Sequence, residues 1–203
     1  MKTTAAAALA LTLTLAPAAS RAEAVAYAID TGHSQTSFSV KHLVISTVRG
    51  EFGKTEGTVV IDEADLSKSR VEATIDVASV NTREAKRDEH LKSADFFDVG
   101  KFPTLTFKST KVARGADGHL AVTGDLTLKG VTRSVVLDVA GPTKEIKDPW
   151  GNVKRGVAVT GTINRKDFGI AWGPVIEAGP VVGDEVKIEI DAELTKVVPA
   201  AKK

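Results

Sequence analysis

The chain of 203 residues contains no cysteine. Disulfides and thiolate zinc sites are therefore excluded, and the fold must be held by its core. Nor is there a cysteine after the N-terminal apolar run on which a lipoprotein attachment could form. Charge bias is missing too: 27 Lys and Arg stand against 26 Asp and Glu, with no basic stripe. That balance argues against a nucleic-acid partner. Repeats of fixed period are absent. So are the short signatures of catalysis and metal binding: no Gly-x-Ser-x-Gly, no His-x-His and no His-Glu-x-x-His occurs. Ser34 follows His33, but neighbours in an extended chain point apart, which gives no nucleophile–base pair. The metal candidates are His33, His42 and His90 with Asp88 and Glu89. A metal needs three or four convergent ligands. These histidines precede a strand, face a barrel interior and sit on a helix, so no metal, no cofactor and no enzymatic activity are expected.

What is present begins with residues 1–22, which read as a cleaved secretory signal. Lys2 supplies the positive charge, Ala5 to Leu15 the apolar run, and Ser20-Arg21-Ala22 a small-x-small cleavage site. The run is too short to span a membrane. Export to the periplasm is the expectation. Removing Lys2 and Arg21 moves the formal charge from +1 to −1. Residues 23–203, about 180 in all, suit one domain with a substantial core.

Most of that domain alternates apolar with polar residues, the pattern of half-buried strands. Eight segments show it: Ser37–Val44, Val48–Ile61, Arg70–Val80, Thr104–Val112, His119–Leu128, Val131–Ala140, Gly156–Asn164 and Glu185–Leu194. In the second, parity slips between Gly53 and Gly57, as at a bulge. Lys129-Gly130 predicts a tight hairpin, and Asp148-Pro149-Trp150-Gly151-Asn152 a turn with Trp150 as a packing anchor. Eight amphipathic strands joined by short turns give an all-β antiparallel barrel, with a two-sheet sandwich as the alternative.

The exception is Asn81 to Pro103. Asn81 with Glu84 has the spacing of a capping box, and Arg83 to Lys92 lacks Gly, Pro and β-branched residues. A short surface helix is expected after the third strand, followed by a cluster of Phe96, Phe97 and Phe102 that packs on the barrel end. Arg87 and Asp88 are expected to fix the helix to a strand.

The inner faces carry small residues: Gly50, Gly57, Ala73, Gly124, Gly161 and Ala192. They leave room for an apolar tunnel, or they mark strand bends at barrel corners. Parity alone does not choose between these.

Particular residues then become familiar. They include Phe38-x-Val40-x-His42, Arg87-Asp88-x-His90-Leu91-x-Ser93-Ala-Asp95-Phe96-Phe97, Phe102-Pro103-x-x-x-Phe107, Asp148-Pro-Trp150-Gly151 and Asp167-Phe168-Gly169. In this order and spacing the chain resembles the YceI-like family of periplasmic, lipocalin-like proteins over the whole of residues 23–203. The resemblance implies an eight-stranded barrel whose tunnel binds a polyisoprenoid or similar long-chain amphiphile, such as an isoprenoid quinone or fatty amide, for transport, storage or metabolism. The residues expected to face it are Phe38, Val40, His42, Val48 and Phe52 from the first two strands, and Ala73, Ile75 and Val77 from the third. The insert and fourth strand add Phe97, Phe102, Leu105 and Phe107. Val122, Leu126 and Leu137 follow, then Val159, Gly161 and Ile163, Phe168 and Trp172, and Ile188 and Ile190. The departure is Gly173-Pro174 after Trp172, which leaves the path of 171–182 open. Also open are contact with a membrane or membrane protein, pairing as a homodimer, and the alternative of a periplasmic stress or interaction barrel with no small ligand.

Overall fold

The computed structural model describes residues 24–198. The expected signal segment lies outside them.

All eight strands form. β1 is laid in two runs, Val25–Ile29 and Gln35–His42, and β2 likewise, Ser46–Phe52 and Thr55–Ile61. β3 runs Arg70–Asp76 and resumes as Val80–Asn81 after one tight helical turn. β4 is Thr104–Arg114, β5 Leu120–Leu128, β6 Val131–Ala140, β7 Val153–Asn164 and β8 Val182–Lys196. Each pairs antiparallel with its sequence neighbour. β8 pairs with β7 from Lys154↔Thr195 to Asn164↔Glu185, and along its other edge with both runs of β1. The ring therefore closes, with β6 and β7 joined over the short run Ala140↔Ala158 to Asp138↔Thr160, and closure decides for a barrel over a sandwich.

The first run of β1 begins twelve residues ahead of the expected Ser37. It was hidden because Asp30 breaks the alternation. The Asp30 carboxylate accepts from the Gly32 amide at 3.0 Å and turns the chain before the strand resumes. The break in β2 at Gly53–Lys54 is the expected bulge. It lets β2 pair first with the upper run of β1, Thr36↔Phe52 to His42↔Ser46, and then with the lower, Val25↔Ile61 to Ala28↔Thr58. Lys129 and Gly130, both at positive φ, make the expected β5–β6 hairpin.

The insert holds α1, Ala85–Lys92, with no buried residue. Its cap differs from the expectation. Glu84 itself caps, accepting from the Lys86 amide at 3.1 Å, while Asn81 accepts from Arg83, whose φ of +64° breaks the helical path between them. The insert, the β1–β2 turn, the β5–β6 hairpin and the β7–β8 connection share one end of the barrel, the upper end here. The β2–β3, β4–β5 and β6–β7 connections share the lower end.

Candidate functional site

A filled barrel would bury its inward side chains completely. Here Val157, Val159 and Ile163 of β7 and Val186, Ile188, Ile190 and Ala192 of β8 face inward by parity, yet all are only half-buried. They look onto a cavity of about 230 Å³ that runs between the barrel ends, from Phe97 above to Leu66, Ser69, Arg70 and Pro142 below. Polar groups on its wall are few: Ser34, Thr36, Thr55, Ser69 and the rim residue Arg70. Thr36 and Thr55 satisfy each other at 2.9 Å, and Ser34 exchanges bonds with the Glu193 backbone. The interior therefore offers a ligand almost nothing but hydrocarbon.

Among the expected residues, the structure places Phe38, Phe52, Ala73, Ile75, Phe97 and Leu105 on this wall. Phe107, Val122, Leu126, Leu137 and Val159 join them, with Ile163, Ile188 and Ile190 completing the group. The others lie off it. Val40 and Val48 face each other, and His42 sits half-buried opposite Ser46, on a hairpin that runs past the rim. Val77 falls on the turn that interrupts β3 and is buried with Phe52 and Val80. Phe102 lies over Gly130, where a Cβ would come within 2.5 Å of its ring. Phe168 is buried above the cavity with Phe96, Leu126, Leu128 and Ile170. Trp172 packs outside that group, 4.7 Å from the His90 ring and 5.1 Å from Phe96.

The inward glycines do not create the hollow. A Cβ at Gly50 would meet the Phe38 ring at 2.4 Å, one at Gly124 the Phe107 ring at 2.4 Å, and one at Gly161 the Leu137 methyl at 2.6 Å. Each is the seat of a large side chain from a neighbouring strand. Gly57 is a close approach of β2 to the β3 backbone, 2.3 Å from the Glu72 carbonyl by the same measure. Gly161 accordingly leaves the wall and Leu137 takes its place. Of the small inward residues, Ala73 and Ala192 do border the cavity.

The upper end is closed by apolar packing and by one arginine. Phe97 meets Phe52 edge-on at 5.9 Å over the top of the cavity. α1 is tied to β3 through Thr82: Asp88 accepts from its amide and hydroxyl, and Arg87 donates to its hydroxyl and carbonyl, all within 2.6–2.8 Å. The buried Arg165 donates to the carbonyls of Ile170, Trp172, Val182 and Gly183 and to the Asp184 carboxylate. It thereby fixes 171–182, which folds back as a small hairpin of Val175–Ile176 against Gly179–Pro180. Arg165 was missed because a basic residue at the Asn164-Arg165-Lys166 strand end carries no pattern in sequence that marks it as buried.

The lower end is flanked by ion pairs, with exposed Arg70 at the cavity rim. Buried Tyr27 donates to Glu145 at 2.6 Å under the Arg155 guanidinium, and Glu145 also takes Lys196 at 3.1 Å. Burial, and then the bond to Glu145, raises the Tyr27 pKa, while that bond lowers Glu145. Arg155 also pairs with Glu63. On the outer face Lys154 bridges Asp30 at 2.6 Å and Glu193 at 2.9 Å, which lowers Asp30 to about 2 and raises Lys154. Asp30, His33 and Glu193 approach one another closely enough to hold a cation. The Lys154 ammonium already sits on two of these carboxylates, so a metal would have to displace it. Trp150 is no packing anchor: it is 84% exposed at the tip of its turn, whose backbone is held by Asp148.

An eight-stranded antiparallel barrel around an apolar cavity, with one helical insert at its end, is a lipocalin-like barrel. The chain belongs to the YceI-like domain family, which it matches over residues 27–194. A UPF0312 protein of Vibrio cholerae is 40% identical over 174 residues, 83% of this chain and 88% of that one. The crystal structure of the Campylobacter jejuni YCEI protein superimposes with a TM-score of 0.64 at 32% identity, covering 78% and 90% of the two chains. A polyisoprenoid binding domain from Saccharophagus degradans shares the fold at 18% identity, with a TM-score of 0.60 over 85% of this chain and 99% of that domain.

Proposed function

We propose that this barrel is a periplasmic lipid carrier, holding a polyisoprenoid or similar long-chain amphiphile by burial rather than transforming it. The observation that carries the reading is the predominantly hydrocarbon wall. Among the described residues no carboxylate and no histidine borders the cavity, and the one cation that does, Arg70, is exposed at the rim. Such a wall selects length and apolarity, not charge. The shared fold with a polyisoprenoid binding domain of Saccharophagus degradans supports the choice of chain, and the secretory character of residues 1–22 supports the compartment.

Burying on the order of 600 Å² of alkenyl chain at ~25 cal/mol per Å² is worth about 15 kcal/mol gross. Association and ordering take back much of that, about 4–15 kcal/mol. What remains is apolar, so affinity is insensitive to salt. The test is organic-solvent extraction of the purified protein followed by mass spectrometry. A long-chain isoprenoid or comparable lipid in stoichiometric amount is expected. Protein that carries no lipid and takes none up would leave an interaction barrel in its place.

A further inference from the structure

The upper end carries a feature that lipid storage does not explain. In the three-residue turn between β1 and β2, Leu43 and Val44 stand at φ +51° and +65°. This left-handed region suits Gly or Asn, and a β-branched residue there is a genuine outlier. The turn holds Val44 57% exposed and Ile45 84% exposed. Folding alone would favour Gly or Asn at these left-handed positions. The small hairpin after Trp172 lies against it. The Leu43 amide donates to the Val181 carbonyl at 2.9 Å, and a Cβ on Gly179 would lie 3.2 Å from a Val44 methyl. That hairpin exposes Val175 at 77% and Ile176 at 46%. Two separate segments thus join four aliphatic side chains into one protruding tip.

Just below the tip, the two rows of the outer face of β8–β1–β2 nearest to it carry three cations, while the row beneath them, Glu189–Ser37–Glu51, is acidic. Lys187, Ser39 and Arg49 lie in one cross-strand row, and Lys41 stands one step nearer the tip. All three cations are exposed, and none forms an ion pair among the described residues. Against them stand Glu177 on the hairpin and Glu185 on β8, both exposed. Exposed aliphatics ahead of a belt of cations match a bilayer surface with anionic headgroups: the side chains enter the acyl boundary and the cations meet the phosphates. The position fits as well. Inward from the tip, the facing pair Val40–Val48 leads to Val186, the cavity-wall residue opposite Val40. An apolar track therefore joins tip and cavity.

We propose that Val44, Ile45, Val175 and Ile176 form a docking tip for an anionic phospholipid bilayer. The proposal rests on the carrier reading, because it supplies the place where an apolar cargo is collected or delivered. The experiment uses the chain from residue 24 onward, which contains every strand of the barrel, without the apolar leader that would itself bind membranes. Flotation with vesicles of phosphatidylethanolamine and phosphatidylglycerol is compared with vesicles of phosphatidylcholine alone. The parent is expected to float with the anionic vesicles at least tenfold more than with the neutral ones. Val44→Asn relieves the left-handed strain, so it should melt at the same temperature or higher while flotation drops several-fold. Ile45→Ser should lose flotation without a change in melting, and Arg49→Glu should abolish the preference for anionic vesicles. Val44→Asn and Ile45→Ser that float like the parent would overturn the proposal. So would a parent dimer, seen by light scattering, that these substitutions split while no form floats, since the tip would then join two copies. Lipid extracted from the same samples reports separately on the carrier reading: a parent loaded with lipid that does not float sinks the docking tip alone.

Discussion

The two ends of the barrel are held together by different physics. Above, Phe96, Phe97, Phe168 and Ile170 meet over the strands with Trp172 behind them, and one buried arginine holds the connecting loop. Below, Tyr27 is shut in by Glu145, Lys196 and Arg155, and Lys154 locks Asp30 to Glu193. Apolar closure is non-directional and indifferent to salt, so its parts can separate and repack at modest cost. Ionic closure is directional and depends on protonation. On the carrier reading proposed above, the apolar upper end is the one expected to yield and the ion-paired lower end the one expected to hold.

The largest effect expected concerns the arginine. Arg165→Ala leaves four carbonyls without their donor in a largely buried setting, while Lys166 stays on Asp184, and should cost about 3–5 kcal/mol in denaturant unfolding. A loss under 1 kcal/mol would mean that 171–182 holds itself in place and that the upper closure is apolar alone. Phe97→Ala is next. The ring is half-buried, so about 1–2 kcal/mol is expected rather than the full cost of a core phenylalanine. Its mark is kinetic: transfer of bound lipid to acceptor vesicles should speed up several-fold. Unchanged transfer would remove the upper end as the yielding one.

The smallest effect sharpens the lower end. Asp30 has a folded pKa of about 2, below its ordinary 3.8. A depressed carboxylate stabilises the fold above its unfolded pKa, and that contribution is lost as pH falls from about 4 to about 2. Asp30→Asn should therefore be less stable than the parent at pH 6, and the gap should close below pH 3. A gap that persists at pH 2 would mean the residue acts through its turn and not its charge.

Much of this was legible in the sequence. Alternation is a local signal that shows all eight strands and the bulge at Gly53, and turn chemistry shows the Lys129-Gly130 hairpin. The first run of β1 escaped because Asp30 interrupts its parity. The wall was legible wherever a strand is regular, as at Ala73, Ile75, Ile188 and Ile190. It failed where a strand outruns the barrel, at Val40, His42 and Val48, and where helical turns replace strand, at Val77 and Phe168. The glycines misled for a physical reason: parity places Gly50, Gly124 and Gly161 inward but cannot show that Phe38, Phe107 and Leu137 reach across to cover them. Arg165 and the Tyr27–Glu145 pair, separated by 118 positions, exist only once the barrel has closed.

The hollow is the claim on which the rest depends, and Ala73 probes it most directly. It is a small side chain on the cavity wall, on a regular strand. Ala73→Leu adds bulk where the cargo would lie. Native mass spectrometry with a thermal melt, run beside the parent, should show a folded variant at least as stable as the lipid-free parent and carrying no lipid. In a close-packed interior the same change would cost about 1–3 kcal/mol. A variant that melts well below a parent with no bound lipid would contradict the account.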